Sequence, residues 1–321
     1  MIIRKNFQGE KVPCILTIGF FDGVHLGHQR IIRKVVEKAR SSNIYSCVVT
    51  FDRHPSELFS SYKVKLLTCW EEKKEIFGSL GIEVIQVFTF DHDFASLSPD
   101  KFLEKLNEHF FIKEILVGND FTFGHKRKGN VTFLKKIRSK FDFELEVVAP
   151  VKMENQKISS SVLRAWLENG KVEKVTAGMG RSPTIWGKVI PGKGRGRQIG
   201  FPTANLLPHS DKLLPSSGVY AGSCEVKNKI YEATVNVGNK PTFDDFSPGI
   251  EVHIIGFEGE LYGETLKVSL VKKIRDIQAF PSPSHLARRL EQDRQETEQI
   301  LKGFTLLKES QKNVRKVKDA W

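Results

Sequence analysis

Short apolar runs alternate with amphipathic ones through the first 150 residues, and that alternation leaves few folds open. CILTIGF (14–20), YSCVVTF (45–51), EVIQVFTF (83–90), EILVG (114–118) and ELEVVAP (144–150) are rich in β-branched and aromatic residues and too short to be helices. Between them HQRIIRKVVEKAR, EEKKEIFGSL, SPDKFLEKLNEHF and NVTFLKKIRSKF place apolar residues three and four apart, the helical period. Ser98 before Pro99 supplies an N-cap and a pre-set first turn for the third of these. Repeated strand–helix units predict an α/β, doubly wound parallel sheet with right-handed crossovers. Such sheets bind ligands beyond the carboxyl ends of their strands, so reactive residues are expected just after each apolar run.

ISSSVLRAWLENGK (158–171) reads as a serine-capped helix closed by Gly170, and a short helical stretch follows. Beyond about residue 182 the texture changes. TIWGKVI, GVYAGSCEV, KIYEATVNVG, GIEVHIIGF and ETLKVSLVKKI are separated by turn residues, with no helices between them. That pattern predicts an antiparallel barrel or sandwich, covered by a terminal amphipathic helix over 282–301. The expected division is therefore 1–182 and 183–321, which suits a chain of 321 residues.

A hydrophobic fraction of 40% with 27% charged residues excludes a disordered or fibrous chain. The four cysteines form no CxxC pair, the N-terminus lacks a signal core, and no apolar segment is long enough to span a bilayer. A cytoplasmic location without a membrane partner is expected. The net charge of +12 suits nucleic acid, an anionic membrane or polyphosphate ligands, and its sign alone does not choose among them. The basic clusters KVKLL, HKRKG, GKGRGR and QKNVRKVKD come without an aromatic RNA-binding signature, so nucleic acid is not the expected partner.

The first apolar run leads into GFFDGVHLGH. Gly19, Gly23 and Gly27 permit close backbone approach, and the helix that follows offers N–H groups and a positive dipole end to a phosphate. His25 and His28, three apart, could share one face and donate to a triphosphate. The same letters also fit a plain glycine turn, or a metal pair for which no third ligand stands nearby. VTFDRHP (49–55), VGNDFTFGHKRKGN (117–130) and ISSSVLR (158–164) likewise follow strand-like runs. In the second half, GRGRQIGFPTANL (194–206) joins a glycine- and arginine-rich run, with Gly194, Arg197 and Gly200, to a stiff extended turn at Pro202. The run could wrap phosphates, while Thr203 and Asn205 carry hard oxygen ligands suited to Mg²⁺.

GFFDGVHLGH resembles the signature of the nucleotidyltransferase superfamily, a Rossmann-like fold whose HxGH histidines contact ATP phosphates. With VTFDRHP, VGNDFTFG and ISSSVLR in order, the N-terminal half resembles the adenylyltransferase module of bacterial bifunctional riboflavin kinase/FAD synthetases. GFPTANL, GVYAG, NVGNKPTF and IEVHIIGFEGELYGE resemble the riboflavin kinase barrel of the same family. The resemblance covers nearly all of residues 12–303. It implies a bifunctional enzyme that phosphorylates riboflavin to FMN and adenylylates FMN to FAD, with ATP and flavins as substrates and Mg²⁺ as cofactor. It also implies that Gly19, Phe20, Asp22, Gly23, His25, Gly27, His28, Ser160, Ser161 and Arg164 hold ATP in the first domain. Gly194, Arg197 and Gly200 would do so in the second. Asp120, Phe121, Phe123 and Arg275 would meet flavin, Thr203 and Asn205 the metal, and Glu251 would be the catalytic base. Phe20, where the family commonly has Asn, and Arg53, where Pro is usual, depart from the pattern and keep open a kinase with a weakened adenylyltransferase. The +12 charge and basic tail keep open a flavin-responsive nucleic-acid-binding regulator. The oligomeric state is not readable from the sequence.

Overall fold

The computed structural model describes residues 1–6, 9–60, 62–192, 194–239 and 248–318. Residues 240–243 of NVGNKPTF and the last three of the basic tail lie outside the described residues. By its internal contacts the chain divides into two compact units, Met1–Ser160 and Ser161–Trp321.

The first unit is built on β1 (Ile2–Lys5), β2 (Val12–Ile18), β3 (Tyr45–Phe51), β4 (Val84–Phe88), β5 (Phe110–Gly118) and β8 (Glu144–Val148), all parallel, in the order β1-β4-β3-β2-β5-β8. Two two-residue ribbons, β6 (Thr122–Phe123) with β7 (Gly129–Asn130) and β9 (Lys152–Met153) with β10 (Gln156–Lys157), lie outside the sheet. The central strands are buried on both faces, which is why they read as continuous apolar runs. Helices α1 (Leu26–Ser41), α2 (Trp70–Ser79), α3 (His92–Ser96), α4 (Pro99–His109) and α5 (Val131–Phe141) connect them. In α1, Ile32, Val35 and Ala39 face the core while Arg33, Glu37 and Arg40 are exposed. Ser98 caps α4 as expected, its hydroxyl accepting from Lys101 N–H at 3.3 Å. Strand β1 is additional to the sequence reading. It forms an edge against β4 with Ile2 and Ile3 47% and 41% exposed, so it carries no burial pattern to detect.

The second unit opens with α6 (Ser160–Glu168) and α7 (Val172–Met179), Gly170 turning the chain between them at φ 69°. Six antiparallel strands then close a barrel in the order β11 (Thr184–Ile190), β12 (Ala204–Pro208), β15 (Pro248–Ile254), β14 (Lys229–Asn239), β13 (Gly218–Val226), β16 (Thr265–Arg275). Three details correct the sequence reading. ANLLP continues past the stiff turn as strand β12, because the extended backbone after Pro202 finds β15 to pair with. A single turn of helix, α8 (Arg195–Gln198), sits inside the glycine- and arginine-rich run. The terminal helix α9 (Pro283–Lys318) is longer than predicted, and it packs through Asp293, Thr297 and Leu301 on the outside of the barrel.

Candidate active sites

Strand β2 ends at Ile18 and the chain leaves the sheet through Gly19. Phe21 (φ 55°), Gly23 (φ 76°) and Val24 (φ 35°) take left-handed backbone, which compresses residues 20–25 into one turn. For a β-branched residue such as Val24 that is a strained conformation, of the kind retained where a site needs it. The surroundings enforce it. Thr68 N–H donates to Asp22 Oδ1 (3.2 Å), and Thr68 Oγ1 accepts from Gly23 N–H (3.0 Å). Gln29 Nε2 donates to the Val24 carbonyl (2.9 Å), and the Ser160 hydroxyl to the Asp22 carbonyl (2.9 Å). Ser160 and Asp22, 138 positions apart, are thereby joined.

His25 is the N-cap of α1, its Nδ1 accepting from His28 N–H at 3.3 Å. The two imidazoles stack with centroids 3.7 Å apart and planes 18° apart, and Phe21 meets His28 edge-on at 5.1 Å. Gly27 leaves room for the stack, since a Cβ there would stand 3.0 Å from the His25 ring. Two nitrogen-bearing rings are thus held beside the positive end of a 16-residue helix, an arrangement that stabilises anionic oxygens.

Gly19, Phe20, Phe121 and Phe123 line a cavity of about 320 Å³ alongside this turn. Phe121 and Phe123 stack at 5.4 Å, and Phe123 also belongs to the unit's hydrophobic core. Phe51 and His54, both within VTFDRHP, and Phe90 form three further walls, for which the sequence reading assigned no role. Flat aromatic walls suit a planar ring system. Asp120 does not line this cavity. It accepts from Lys157 Nζ at 2.6 Å, which holds its carboxyl below the usual range. Arg53 is half exposed and pairs with Asp52 at 3.7 Å.

Lys73 was also missed. Only 3% exposed, it donates from Nζ to the Phe20 carbonyl (2.7 Å) and lies over the Phe20 ring at 3.8 Å. Burial pushes its pKa down to about 8, against the nearby Asp22 carboxylate, which raises it. The signal was present: Lys73, Phe77 and Leu80 recur at i, i+4 and i+7, so Lys73 shares the apolar face of α2.

In the second unit, Ser161 is exposed in the first turn of α6 and Arg164 is half-buried one turn later. Gly194 (φ 67°) precedes α8 and Gly200 (φ 83°) follows it, both conformations that favour glycine. Arg197 and Thr203 line a second cavity, about 280 Å³, against Val252 and the loop from Phe257 to Tyr262. Asn205 is 8% exposed and lies directly opposite Glu251 in the β12–β15 ladder. Gly192 packs so close to the Asn205 amide that a Cβ would overlap it. Arg275 grips Asp293 of α9 through three contacts of 3.0, 3.1 and 2.6 Å and lies over the Phe280 ring at 5.6 Å. Asp293 is fully buried, so this pair fastens α9 to β16. No cluster of three or more His, Cys, Asp or Glu side chains able to hold a metal occurs among the described residues.

The chain matches the family described as FAD synthetase over residues 7–162 and the family described as riboflavin kinase over residues 179–301. It is 36% identical over 294 residues to a bifunctional riboflavin kinase/FMN adenylyltransferase of Bacillus subtilis, covering 89% of this chain and 92% of that one. A protein of the same description from Escherichia coli K12 is 33% identical, covering 91% and 94% of the two chains. Among solved structures, a Streptococcus pneumoniae chain described as a macrolide-efflux protein superposes with a TM-score of 0.85 at 30% identity, covering 93% of this chain and 99% of that one. Among the described residues no helix is long and apolar enough to cross a membrane.

Proposed function

The chain belongs to the family of bifunctional riboflavin kinases/FMN adenylyltransferases, enzymes that make FMN from riboflavin and FAD from FMN, and on that premise we propose how its two sites divide the work. The HLGH turn and the aromatic cavity form the adenylyltransferase site, and the outer face of the barrel around Glu251 forms the kinase site. The observation that carries the first assignment is the stacked His25–His28 pair at the N-terminus of α1. Their ring nitrogens and the helix N–H groups hold the triphosphate of ATP. An FMN phosphate oxygen attacks the α-phosphorus, the α–β bridging bond breaks, and pyrophosphate leaves with its developing charge stabilised by the same donors. The flavin ring occupies the cavity against Phe121. Asp22, with its carboxylate turned to Thr68, supports the turn from behind.

In the barrel, Glu251 accepts the proton of the riboflavin terminal hydroxyl as that oxygen attacks the γ-phosphorus, and ADP departs. Thr203 lines the phosphate cavity and Asn205 stands two residues on, opposite Glu251; their hydroxyl and amide oxygens are hard donors, a set that fits Mg²⁺ once phosphate oxygens complete it. The ion, when bound, neutralises phosphate charge. Arg197 supplies a guanidinium to the same cavity. We place the working boundary near residue 182, just before β11, and the protein in the cytoplasm, which its four unbridged cysteines support.

Incubation with riboflavin, ATP and Mg²⁺, followed by chromatography of FMN and FAD, tests the division. Glu251→Ala should abolish FMN formation and spare conversion of added FMN to FAD, and His28→Ala should do the reverse. Loss of both activities from either folded variant would overturn the assignment.

A further inference from the structure

One row of side chains on the barrel's outer face contains a member with no task in the scheme above. Register sets Asn205 opposite Glu251, Glu251 opposite Asn236, Asn236 opposite Val219, and Val219 opposite Arg275. Directly opposed residues project to the same side of a sheet. Their chain neighbours Leu206, Val235, Val237, Ile250 and Val252 form the interior core, so the row itself faces outward. Asn236 Oδ1 is buried and accepts no hydrogen bond. Buried acceptors are nearly always paired, so this oxygen calls for a donor from outside the chain.

The next outward-facing positions toward Asn239 show where that donor would come from. Gly238 lies directly opposite Gly249, so a strip of sheet beside Asn236 and Glu251 carries no side chain. A Cβ on Gly238 would stand 4.0 Å from Asn236 Oδ1 and 4.0 Å from Ile277 Cδ1, which puts the amide oxygen at the edge of the bare strip with an apolar border beyond. Strands are about 4.8 Å apart, so Asn236 and Glu251 address neighbouring atoms of anything laid across the strip. Riboflavin, the substrate already assigned to this face, carries consecutive hydroxyls along its ribityl chain.

We infer that Asn236 is a positioning residue of the kinase site, its side-chain oxygen accepting a hydrogen bond from a ribityl hydroxyl and fixing the chain so that the terminal hydroxyl meets Glu251. This rests on the reading of Glu251 as the base. The test uses the full chain with Asn236→Ala and Asn236→Leu, kinase kinetics with riboflavin, and lumiflavin, which has a methyl group in place of the ribityl chain, as competitor. Losing one such bond lowers kcat/KM for riboflavin about tenfold, leaves the lumiflavin inhibition constant within about twofold, and spares conversion of FMN to FAD. Asn236→Leu replaces an orphaned polar atom with apolar ones and is expected to melt at a higher temperature than the parent while losing the same kcat/KM. An unchanged kcat/KM, a parallel weakening of lumiflavin, or failure of both variants to fold would overturn the inference, the last because the side chain would then be holding the barrel together. Glu251→Gln, assayed alongside, separates the two readings: if it retains turnover the base assignment fails, whatever Asn236 does.

Discussion

Replacing Lys73 by methionine isolates the cost of a buried charge beside the HLGH turn. The side chain is 3% exposed, and burial lowers its pKa from the usual 10.5 to about 8. Below pH 8 both the folded and unfolded chains carry the proton, and the full penalty of burying the ammonium stands. Between pH 8 and 10.5 the unfolded state binds more protons than the native state, so stability rises with pH. Above 10.5 both states are neutral and the penalty is gone. At 1.36 kcal/mol per pH unit the fall from 10.5 to about 8 is worth about 3 kcal/mol. Methionine has a similar length, no charge and no titration, so the stability of the parent relative to Lys73→Met should climb by about 3 kcal/mol from pH 8 to 10.5 and stay level between pH 6 and 7.5. Urea unfolding read by Trp70, in a background where the other tryptophans are phenylalanine, reports on the unit concerned, because Trp70 begins the same helix. Taking the difference between the two proteins cancels every other alkaline titration. A difference that stays flat across pH 8 to 10.5 would refute the reasoning.

Gly192→Ala should destroy kinase activity and leave FAD formation from FMN intact, because the added Cβ overlaps the Asn205 amide; separate assays of the two reactions decide it. His28→Ala should slow FAD formation by about 100-fold or more, the usual loss when one donor to a developing charge is removed, with riboflavin phosphorylation as the internal control. Arg275→Ala takes three contacts from the fully buried Asp293 carboxylate and leaves it the Arg289 guanidinium at 2.9 Å, so it should cost about 2 kcal/mol, seen as an earlier thermal transition of the barrel.

Much of both folds was legible because burial leaves a period in the chain. Parallel strands covered on both faces read as continuous apolar runs, and the barrel strands were marked by the turn residues between them. Elements without that imprint were missed: β1 sits at an exposed edge, and β12 begins inside the turn-like GFPTANL. The HLGH turn was legible as a local pattern, Gly19, Gly23 and Gly27 with two histidines three apart, although Thr68 and Ser160 from elsewhere in the chain hold its backbone. By itself, then, the sequence determined the two architectures, the HLGH turn, and the polar candidates Thr203, Asn205 and Glu251. Tertiary structure decided what those residues touch. Cross-strand register aligned Asn205, Glu251 and Asn236, which lie far apart in the chain, and closure of the first unit set Ser160 against Asp22. Packing turned Lys73 from a helix-surface charge into a buried cation under Phe20 and gave Arg275 a buried carboxylate to hold. Local patterns follow from the dihedral preferences of neighbouring residues. Pairings between distant residues follow from how strands register and close, which no short stretch of sequence encodes.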